Sequence, residues 1–352
     1  MDITPGTGHS GTGHPANGTH HLALAAQLSE VAFGLFHASA LRAVTVHRVA
    51  DHLAGGPLQP DELARRAGLH GPTLRRLLRL LATRGVFQED GDGAFGLTPA
   101  AELLRTDVPG SAHSGMIWLT EEVFRRSATG FEDALRTGET PFDAAYGMPF
   151  FDYLHTDAEA QTRFDTGMAA MSGPEDEVVA EAYTFPATGT VVDVGGGRGG
   201  LLRAVLTRNP GLSGVLFDQE QTVAAHLLDV KETAGRWRTD AGSFFEAVTP
   251  GGDVYLLKHI LHDWNDEDCL RILRAIRAAI APGGTLLAVD AILPPGNDPH
   301  FAKGLDLIML ACLRGRERTE EEFRALLGEA GFRVSRVIAT ETFASIVEAV
   351  AE

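Results

Sequence analysis

The second half of the chain alternates short apolar runs with segments whose apolar residues recur at helical spacing. This alternation is typical of strands that are each followed by a helix, and such units build a mostly parallel, doubly wound α/β sheet. The predicted strands lie near residues 190–194, 214–218, 253–257, 284–292, 332–338 and 342–348. Since ligands bind at the carboxyl ends of such strands, we expect a ligand-binding site there.

The first half of the chain is predominantly helical. Residues 22–40 are apolar on nearly every side of the predicted helix, so it is buried all round or packs against another subunit. Further helices are predicted near residues 46–53, over residues 59–68 and from Gly71 onward. Asp-Gly pairs within residues 89–93 predict a hairpin. Helices followed by a hairpin are typical of a winged helix.

The charge of the chain bears on the function of this winged helix. The formal charge is −17, with 30 Lys and Arg against 47 Asp and Glu. This argues against nucleic acid or an anionic membrane as the main partner, because both attract positive surfaces. The acidic wing tip, residues 89–92, would also repel phosphates. We therefore interpret the unit as a dimerisation module, with a winged-helix transcriptional regulator as the alternative.

Composition also predicts a compartment. Cys269 and Cys312 lie in periodic apolar segments without metal-type spacing, as expected of reduced thiols in a cytoplasmic protein. No apolar run approaches the ~20 residues of a membrane span. Residues 1–21 lack the apolar core of a signal peptide and predict a disordered tail.

A glycine-rich turn follows the first predicted strand of the sheet. Gly195, Gly197 and Gly200 fit the G-x-G-x-x-G pattern of dinucleotide sites, and Asp218, about twenty residues on, could accept the ribose hydroxyls. Asp193 favours S-adenosylmethionine (SAM) instead. SAM carries a sulfonium and an ammonium, which an acid attracts, whereas a pyrophosphate would be repelled. The third interpretation is that the glycine-rich turn is purely structural and binds no cofactor.

The segment after the strand at residues 254–257 offers a general base. Methyl transfer from SAM to a phenol requires a group that removes the proton, and histidine suits because its pKa lies near the working pH. His262 is the candidate, with Asp290 and Glu317 to fix its tautomer. His259 is a competing base, and a helix cap is the alternative role for His262.

These motifs make the chain resemble the SAM-dependent O-methyltransferases of plant phenylpropanoid and bacterial aromatic-polyketide pathways. The resemblance covers nearly everything after the tail and rests on residues 192–197, 216–218, 258–266, 308–310 and 317–319. It implies that His262 is the general base, bracketed by Asp290 and Glu317. It implies cofactor contacts from Asp193, Gly195, Gly197, Asp218, Ser243, Phe244, Lys258, Trp264 and Ser172. It implies acceptor contacts from Phe164, Met168, Asp263 and Met309, and no metal ion.

Three positions depart from the family pattern. Asp290 stands where plant relatives carry Glu, and Ser243 stands where the family usually has an acid. No amide lies near Cys312, where plant relatives place the Asn that orients the acceptor. The identity of the acceptor therefore cannot be carried over, nor can the choice of O, N or C as the methylated atom.

The resemblance implies a class I SAM methyltransferase with a Rossmann-like sheet and an N-terminal, mostly helical winged-helix dimerisation domain. Residues 22–105 would form the dimerisation domain, residues 106–182 a helical acceptor-pocket region and residues 183–352 the SAM-binding catalytic domain. We expect a homodimer that methylates a phenolic hydroxyl in bacterial secondary metabolism, such as antibiotic biosynthesis. The alternatives are N- or C-methylation, or a non-methylating reaction on bound SAM.

Overall fold

The computed structural model describes residues 15–352, which form two compact units divided after Met116. The first unit contains α1 (Pro15–Ala32), α2 (Gly34–Val46), a 3-10 turn (Asp51–Leu53), α3 (Pro60–Ala67), α4 (Gly71–Ala82) and α5 (Pro99–Glu102). Strands β1 (Phe87–Glu89) and β2 (Phe95–Leu97) pair as an antiparallel hairpin. One stripe of α4, with Leu74, Leu78 and Leu81, packs with Phe87 and Phe95 in the core of this unit.

The helix boundaries near the N-terminus differ from the prediction. The first helix begins at Pro15 and ends at Ala32, and α2 ends at Val46, where the sequence predicts that a helix begins. Residues 15–21 of the predicted tail are helical, whereas residues 1–14 lie outside the described residues. Periodicity missed the break at Phe33 because apolar residues cover nearly every side of both helices.

Helices α1 and α2 present large apolar side chains to solvent. Leu28 and Val31 are 73% and 76% exposed, and Leu22, Leu24, Phe33, Leu35 and Phe36 are also exposed. A groove of about 340 Å³ lies between α2 and α4, beside Phe36 and Leu77. Within residues 15–352 no single helix could span a membrane, although the bent pair His20–Ala32 and Gly34–Val46 together has the necessary length and composition.

The second unit begins with helices that surround an aromatic cluster. They are α6 (His113–Leu119, which spans the division), α7 (Glu122–Ala128), α8 (Phe131–Thr137), α9 (Pro141–Tyr146), α10 (Phe150–Thr156) and α11 (Ala158–Ala182). We define the aromatic cluster as Trp118, Phe142, Phe150, Phe151 and Phe164 with the residues packed on them. At Gly167 a side chain would collide with Trp118, so α11 packs closely on this cluster.

The rest of the second unit is a seven-stranded sheet. Its strands are β3 (Gly189–Val194), β4 (Leu212–Asp218), β5 (Trp237–Ala241), β6 (Val254–Lys258), β7 (Thr285–Ala291), β8 (Phe332–Ala339) and β9 (Ala344–Ala351). The order is β5-β4-β3-β6-β7-β9-β8, and within this described sheet β9 pairs antiparallel with β7 and β8 while the other pairings are parallel. The sequence patterns missed β5 because it is a polar edge strand.

Helices cover both faces of the sheet. The covering elements are α12 (Gly200–Arg208), α13 (Glu220–Val223), α14 (Asp266–Ala279), α15 (Phe301–Cys312) and α16 (Glu320–Glu329), with 3-10 turns at Lys231–Thr233 and Leu261–Asp263. Val192 and Val194 of β3 pack in the layer that contains Ile272 of α14, whereas Val191 packs in the layer that contains Leu202 of α12. Because β3, β4, β6 and β7 run parallel to one another, their carboxyl ends lie at one edge of the sheet. The candidate site residues lie at this edge.

Candidate active site

The turn after β3 requires glycine. Gly195 has a φ of 67°, its N–H donates to Phe217 O at 2.8 Å, and a Cβ there would lie 2.6 Å from Ile260 and 3.3 Å from the Phe244 ring. Gly197 and Gly199 also have positive φ, of 58° and 82°. These conformations suit glycine and leave the backbone open to a ligand.

Asp218 closes this turn from the end of β4. Its carboxylate accepts from the Gly197 N–H at 2.8 Å and from the Gln219 N–H at 2.7 Å. Burial raises the pKa of Asp218 although both bonds favour its charge. The structure thus places Asp218, the residue predicted to bind the ribose, next to the glycine turn.

Asp193 is a buried acid without a hydrogen-bond partner. It is 1% exposed, and neither carboxylate oxygen forms a hydrogen bond. Burial raises the pKa of Asp193 to about 7, although the positive charge of Lys258 opposes this rise. An orphaned buried carboxylate is unfavourable unless a cation compensates it. The residues at this turn therefore fit a cationic ligand such as SAM.

Lys258 ends β6 and binds two side chains of α11. Its Nζ donates to Ser172 Oγ and to the Asp176 carboxylate. Asp176 is buried beside Gly200, where it leaves no room for a Cβ, and burial raises its pKa against the attraction of Lys258. The sequence patterns missed Asp176, because helical periodicity does not reveal which acid of α11 turns inward.

An aromatic wall lies beside the glycine turn. The Trp264 ring stacks on Phe151 with centroids 5.7 Å apart and meets Phe245 edge-on at 4.7 Å, while Phe244 lies 6.2 Å away. Ser243 accepts from the Phe245 N–H at 3.3 Å. A cleft of about 400 Å³ opens between Ser243 and Phe217.

His262 lies in the 3-10 turn after β6, and a buried arginine holds that turn. Arg318 is 1% exposed and donates to the carbonyl oxygens of Leu261 at 2.6 Å and Trp264 at 3.0 Å. It also pairs with Asp266 at 2.7 Å. Gly315 packs so closely on the carbonyl oxygen of His262 that no larger residue would fit.

The two acids predicted to orient His262 both converge on it, but unequally. Glu317 accepts a hydrogen bond from Nδ1 of His262 at 2.8 Å, whereas Asp290 Oδ1 lies 3.9 Å from the same nitrogen. In this structure the hydrogen-bond partner of Nδ1 is therefore Glu317, and Asp290 lies beside the ring without a hydrogen bond to it. Because a carboxylate only accepts, Nδ1 carries a proton, and Nε2 is the nitrogen that can act as a base when the imidazole is neutral. Asp263 Oδ1 lies 3.4 Å from Nε2.

The carboxylates around His262 increase its proton affinity. Burial opposes the charged imidazole, but Asp263, Glu317 and Asp290 outweigh burial and raise the pKa of His262 to about 10. Burial in turn raises the pKa of Asp263 to about 6 and also raises that of Glu317. This environment stabilises the imidazolium that proton abstraction would produce.

His259, the competing base, has a partner of its own. Its Nε2 lies 2.5 Å from Glu175 Oε2, and both side chains are buried. Its Nδ1 lies 3.8 Å from Asp290 Oδ1. No sequence pattern indicated a role for Glu175. Ligand atoms of His259, His262 and Asp290 lie within 4.8 Å of one another, the only such group that could hold a metal ion among the described residues.

The predicted acceptor residues lie on α11, α15 and the turn that bears His262. Phe164 and Met168 pack in the aromatic cluster, and Phe164 meets Trp118 edge-on at 5.2 Å. Met309 is buried on α15, whose residues Ala311 and Cys312 join the same cluster.

Two family models match the chain. One, described as an O-methyltransferase domain, covers residues 129–333, and the other, an O-methyltransferase dimerisation domain, covers residues 29–107. The chain therefore belongs to the O-methyltransferase family, and it is a SAM-dependent enzyme rather than a transcriptional regulator. Its cofactor is SAM.

Relatives of this chain take part in bacterial antibiotic biosynthesis. The chain is 40% identical to the phenazine O-methyltransferase PhzM of Lysobacter antibioticus over 86% of its own length and 89% of that protein. It is similar to CalO1, a methyltransferase of calicheamicin biosynthesis solved with S-adenosylhomocysteine (42% identity, TM-score 0.87, 94% and 99% coverage). It also resembles NcsB1 of neocarzinostatin biosynthesis, solved with SAM and a hydroxy-methyl naphthoic acid (36% identity, TM-score 0.73, 90% and 96% coverage).

Proposed function

We propose that this enzyme methylates a phenolic hydroxyl of an aromatic small molecule in bacterial secondary metabolism, with His262 as the general base. The observation that carries the proposal is the buried bond between Nδ1 of His262 and Glu317. This bond directs Nε2 away from Glu317, where it can take the hydroxyl proton. Asp263 and Asp290 stabilise the resulting imidazolium, because an anion near a cation favours the charged form.

The cofactor is held at the edge formed by β3, β4 and β6. Asp193 and Lys258 would face its charged groups together with Ser172, and Asp218 would take its ribose. Gly195 and Gly197 leave space for it, while Ser243, Phe244 and Trp264 would flank its adenine. When bound, SAM supplies the methyl group to the ionised acceptor.

The aromatic cluster supports an aromatic acceptor. Phe164 and Met168 would contact its ring, because aromatic and thioether side chains pack well on flat π-systems. Met309 and Asp263 would complete the acceptor site on the side of the base.

The exposed face of α1 and α2 supports a homodimer. Seven large apolar residues lie on it, and they fall within or beside the dimerisation domain at residues 29–107. We further assign residues 22–105 to dimerisation, 106–182 to the acceptor region and 183–352 to cofactor binding, in a cytoplasmic enzyme.

The test is the turnover of His262→Ala on a panel of phenols and arylamines, with binding of S-adenosylhomocysteine measured by calorimetry. Loss of the base should lower kcat about 10²–10⁴-fold and leave cofactor affinity unchanged. His155→Ala, an exposed histidine on α10, is the matched control and should behave as wild type. Wild-type rates for His262→Ala on a phenol at a pH above the acidic limb of the wild-type profile would refute the general base, and turnover of arylamines alone would refute O-methylation.

A further inference from the structure

Helix α15 carries in its interior an aspartate that bonds to a residue outside the helix. Asp306 lies midway along α15, where aspartate is unfavourable because its side chain competes for backbone hydrogen bonds. Here its Oδ1 accepts from the backbone N–H of Glu317 at 2.9 Å. This bond joins positions that are 11 residues apart and closes the loop that follows the helix.

Glu317 and Arg318 are neighbours in this loop, and each is fixed by contacts from outside it. The carbonyl oxygen of Arg318 accepts from the N–H of Leu293, just after β7, at 2.9 Å. Glu317 is held at its N–H by Asp306, while its side chain accepts from Nδ1 of His262 at 2.8 Å. A functional side chain keeps a defined geometry when further hydrogen bonds fix the residue that carries it.

The helix that bears Asp306 is itself anchored in the acceptor region. Met309, the proposed acceptor contact, lies three residues after Asp306 and therefore on the same side of the helix. The last turn of α15 joins the aromatic cluster, and the carbonyl oxygen of Leu313 accepts from the Thr140 hydroxyl at 2.9 Å. Asp306 thus connects this helix to the residue that binds His262.

We propose that Asp306 is a positioning residue, whose hydrogen bond to the Glu317 backbone holds the Glu317 carboxylate on Nδ1 of His262. This inference rests on the proposed role of His262 as the general base. Since the bond requires an oxygen acceptor rather than a charge, asparagine should serve in place of aspartate. Titratable groups that also act on the His262–Glu317 pair lie outside α15 and are His259, Asp263 and Asp290.

Two substitutions separate the hydrogen bond of Asp306 from its charge. Asp306→Ala removes both and should lower kcat about 3- to 30-fold, part of the general-base contribution, with little change in KM. Asp306→Asn removes only the charge and should retain kcat. Equal losses in the two variants, or wild-type kcat in Asp306→Ala, would overturn the proposal. Asp306→Leu, which also lacks an acceptor, replaces Asp306→Ala if the latter does not fold.

The pH profile distinguishes positioning from a general loss of stability. In Asp306→Ala the acidic limb of kcat/KM should move to lower pH, because Glu317 is, with Asp263, one of the carboxylates that raise the pKa of His262 against the effect of burial. Asp51→Ala is the matched control, since Asp51 likewise accepts from a backbone N–H, that of Thr106 at 2.8 Å, but in the first unit. The same shift in Asp51→Ala would reduce the role to stability and overturn the proposal.

A double-mutant cycle tests whether Asp306 acts through Glu317. Glu317→Ala removes the carboxylate that Asp306 would position. Addition of Asp306→Ala to this variant should therefore lower kcat no further, because two residues that act through one interaction do not give additive losses. Losses that multiply would overturn the proposal.

A spectroscopic measurement follows His262 without turnover. In ¹⁵N-histidine NMR of the full-length enzyme, the titration midpoint of His262 should fall by about one pH unit in Asp306→Ala, the size expected when one hydrogen bond to a charged group is loosened. Asp306→Asn should titrate as wild type. An unchanged midpoint in Asp306→Ala would overturn the proposal. A lowered midpoint together with an active His262→Ala would support the role of Asp306 and refute only the general base.

Discussion

The guanidinium of Arg318 donates a 2.6 Å hydrogen bond to the carbonyl oxygen of Leu261, the first residue of the turn that carries His262. The same side chain reaches the carbonyl of Trp264 and the carboxylate of Asp266. The position of the proposed base is thus fixed by a residue next to its acidic partner, Glu317. One short segment of chain sets both the location and the tautomer of His262.

Replacement of Arg318 should therefore affect stability and turnover together. Arg318→Met leaves the carbonyl oxygens of Leu261 and Trp264 without their side-chain donor, and an unsatisfied buried polar group costs about 1–3 kcal/mol. Urea unfolding should show that loss, and kcat should fall as well. Arg316→Met is the matched control, because Arg316 pairs with the same Asp266 from a side chain that is 41% exposed. It should change stability by less than ~1 kcal/mol.

Because Glu317 and Asp290 lie at unequal distances from His262, we expect their variants to lose unequal amounts of activity. Glu317→Gln replaces the acceptor of the Nδ1 bond and should lower kcat about 10- to 100-fold, part of the general-base contribution. Asp290→Asn removes only a charge at 3.9 Å and should have a smaller effect on kcat. Steady-state kinetics with saturating SAM make the comparison. Equal losses, or a larger loss for Asp290→Asn, would contradict the assignment.

The pH dependence of activity should reflect the raised pKa of His262. The base must be neutral to accept a proton, so kcat/KM should rise with pH and its acidic limb should lie above the ordinary histidine value of 6.5. Asp263→Asn removes one of the negative charges that raise this pKa, and the limb should move to lower pH. Asp133→Asn, on exposed α8, should leave the limb in place. A shift to higher pH in Asp263→Asn would contradict the electrostatic account.

Asp193 should make the cofactor-free enzyme less stable as pH rises. The pKa of Asp193 is about 7 in the folded state and 3.8 in the unfolded state, so the folded state holds the proton more tightly. The free energy of unfolding therefore falls as the pH rises from about 3.8 to about 7. Asp193→Asn should remove this dependence and raise the melting temperature at pH 8, while it weakens SAM binding. Thermal unfolding with and without SAM measures both effects. An unchanged SAM affinity would contradict the role of Asp193 as a cofactor ligand.

We expect the dimer to be lost when charged residues are introduced into the apolar face of α1 and α2. Leu28→Glu with Val31→Glu should give monomers or insoluble protein in sedimentation experiments, because an obligate interface buries more than ~2,000 Å² of mainly apolar surface. Leu135→Glu is the control, since Leu135 is 89% exposed on α8 in the other unit. A soluble dimer of the double variant would place the interface elsewhere.

Much of the site could be predicted because parallel strands bring their ends together. The run of glycines, Asp218 and His262 each follow a strand, so their proximity follows from topology. The inward turn of Glu175 and Asp176 could not be predicted, since α11 carries acids on several sides. The sequence also could not rank Glu317 above Asp290, because their distances to His262 depend on the packing of the 314–318 segment. The predicted bounds of α1 were wrong because this helix has no clear separation into an apolar and a polar face.

The aromatic cluster comes from residues 118–171 and 311–313, whereas the groups around His262 come from residues 175, 259–263, 290 and 317. On the proposed assignment, recognition of the acceptor and handling of its proton are therefore encoded in almost separate stretches of sequence. An exchange of residues 118–171 between relatives would change which ring is held without rebuilding the base. This separation gives mutation and recombination a direct route to new acceptors, and it marks that stretch as the place to begin when the enzyme is redesigned.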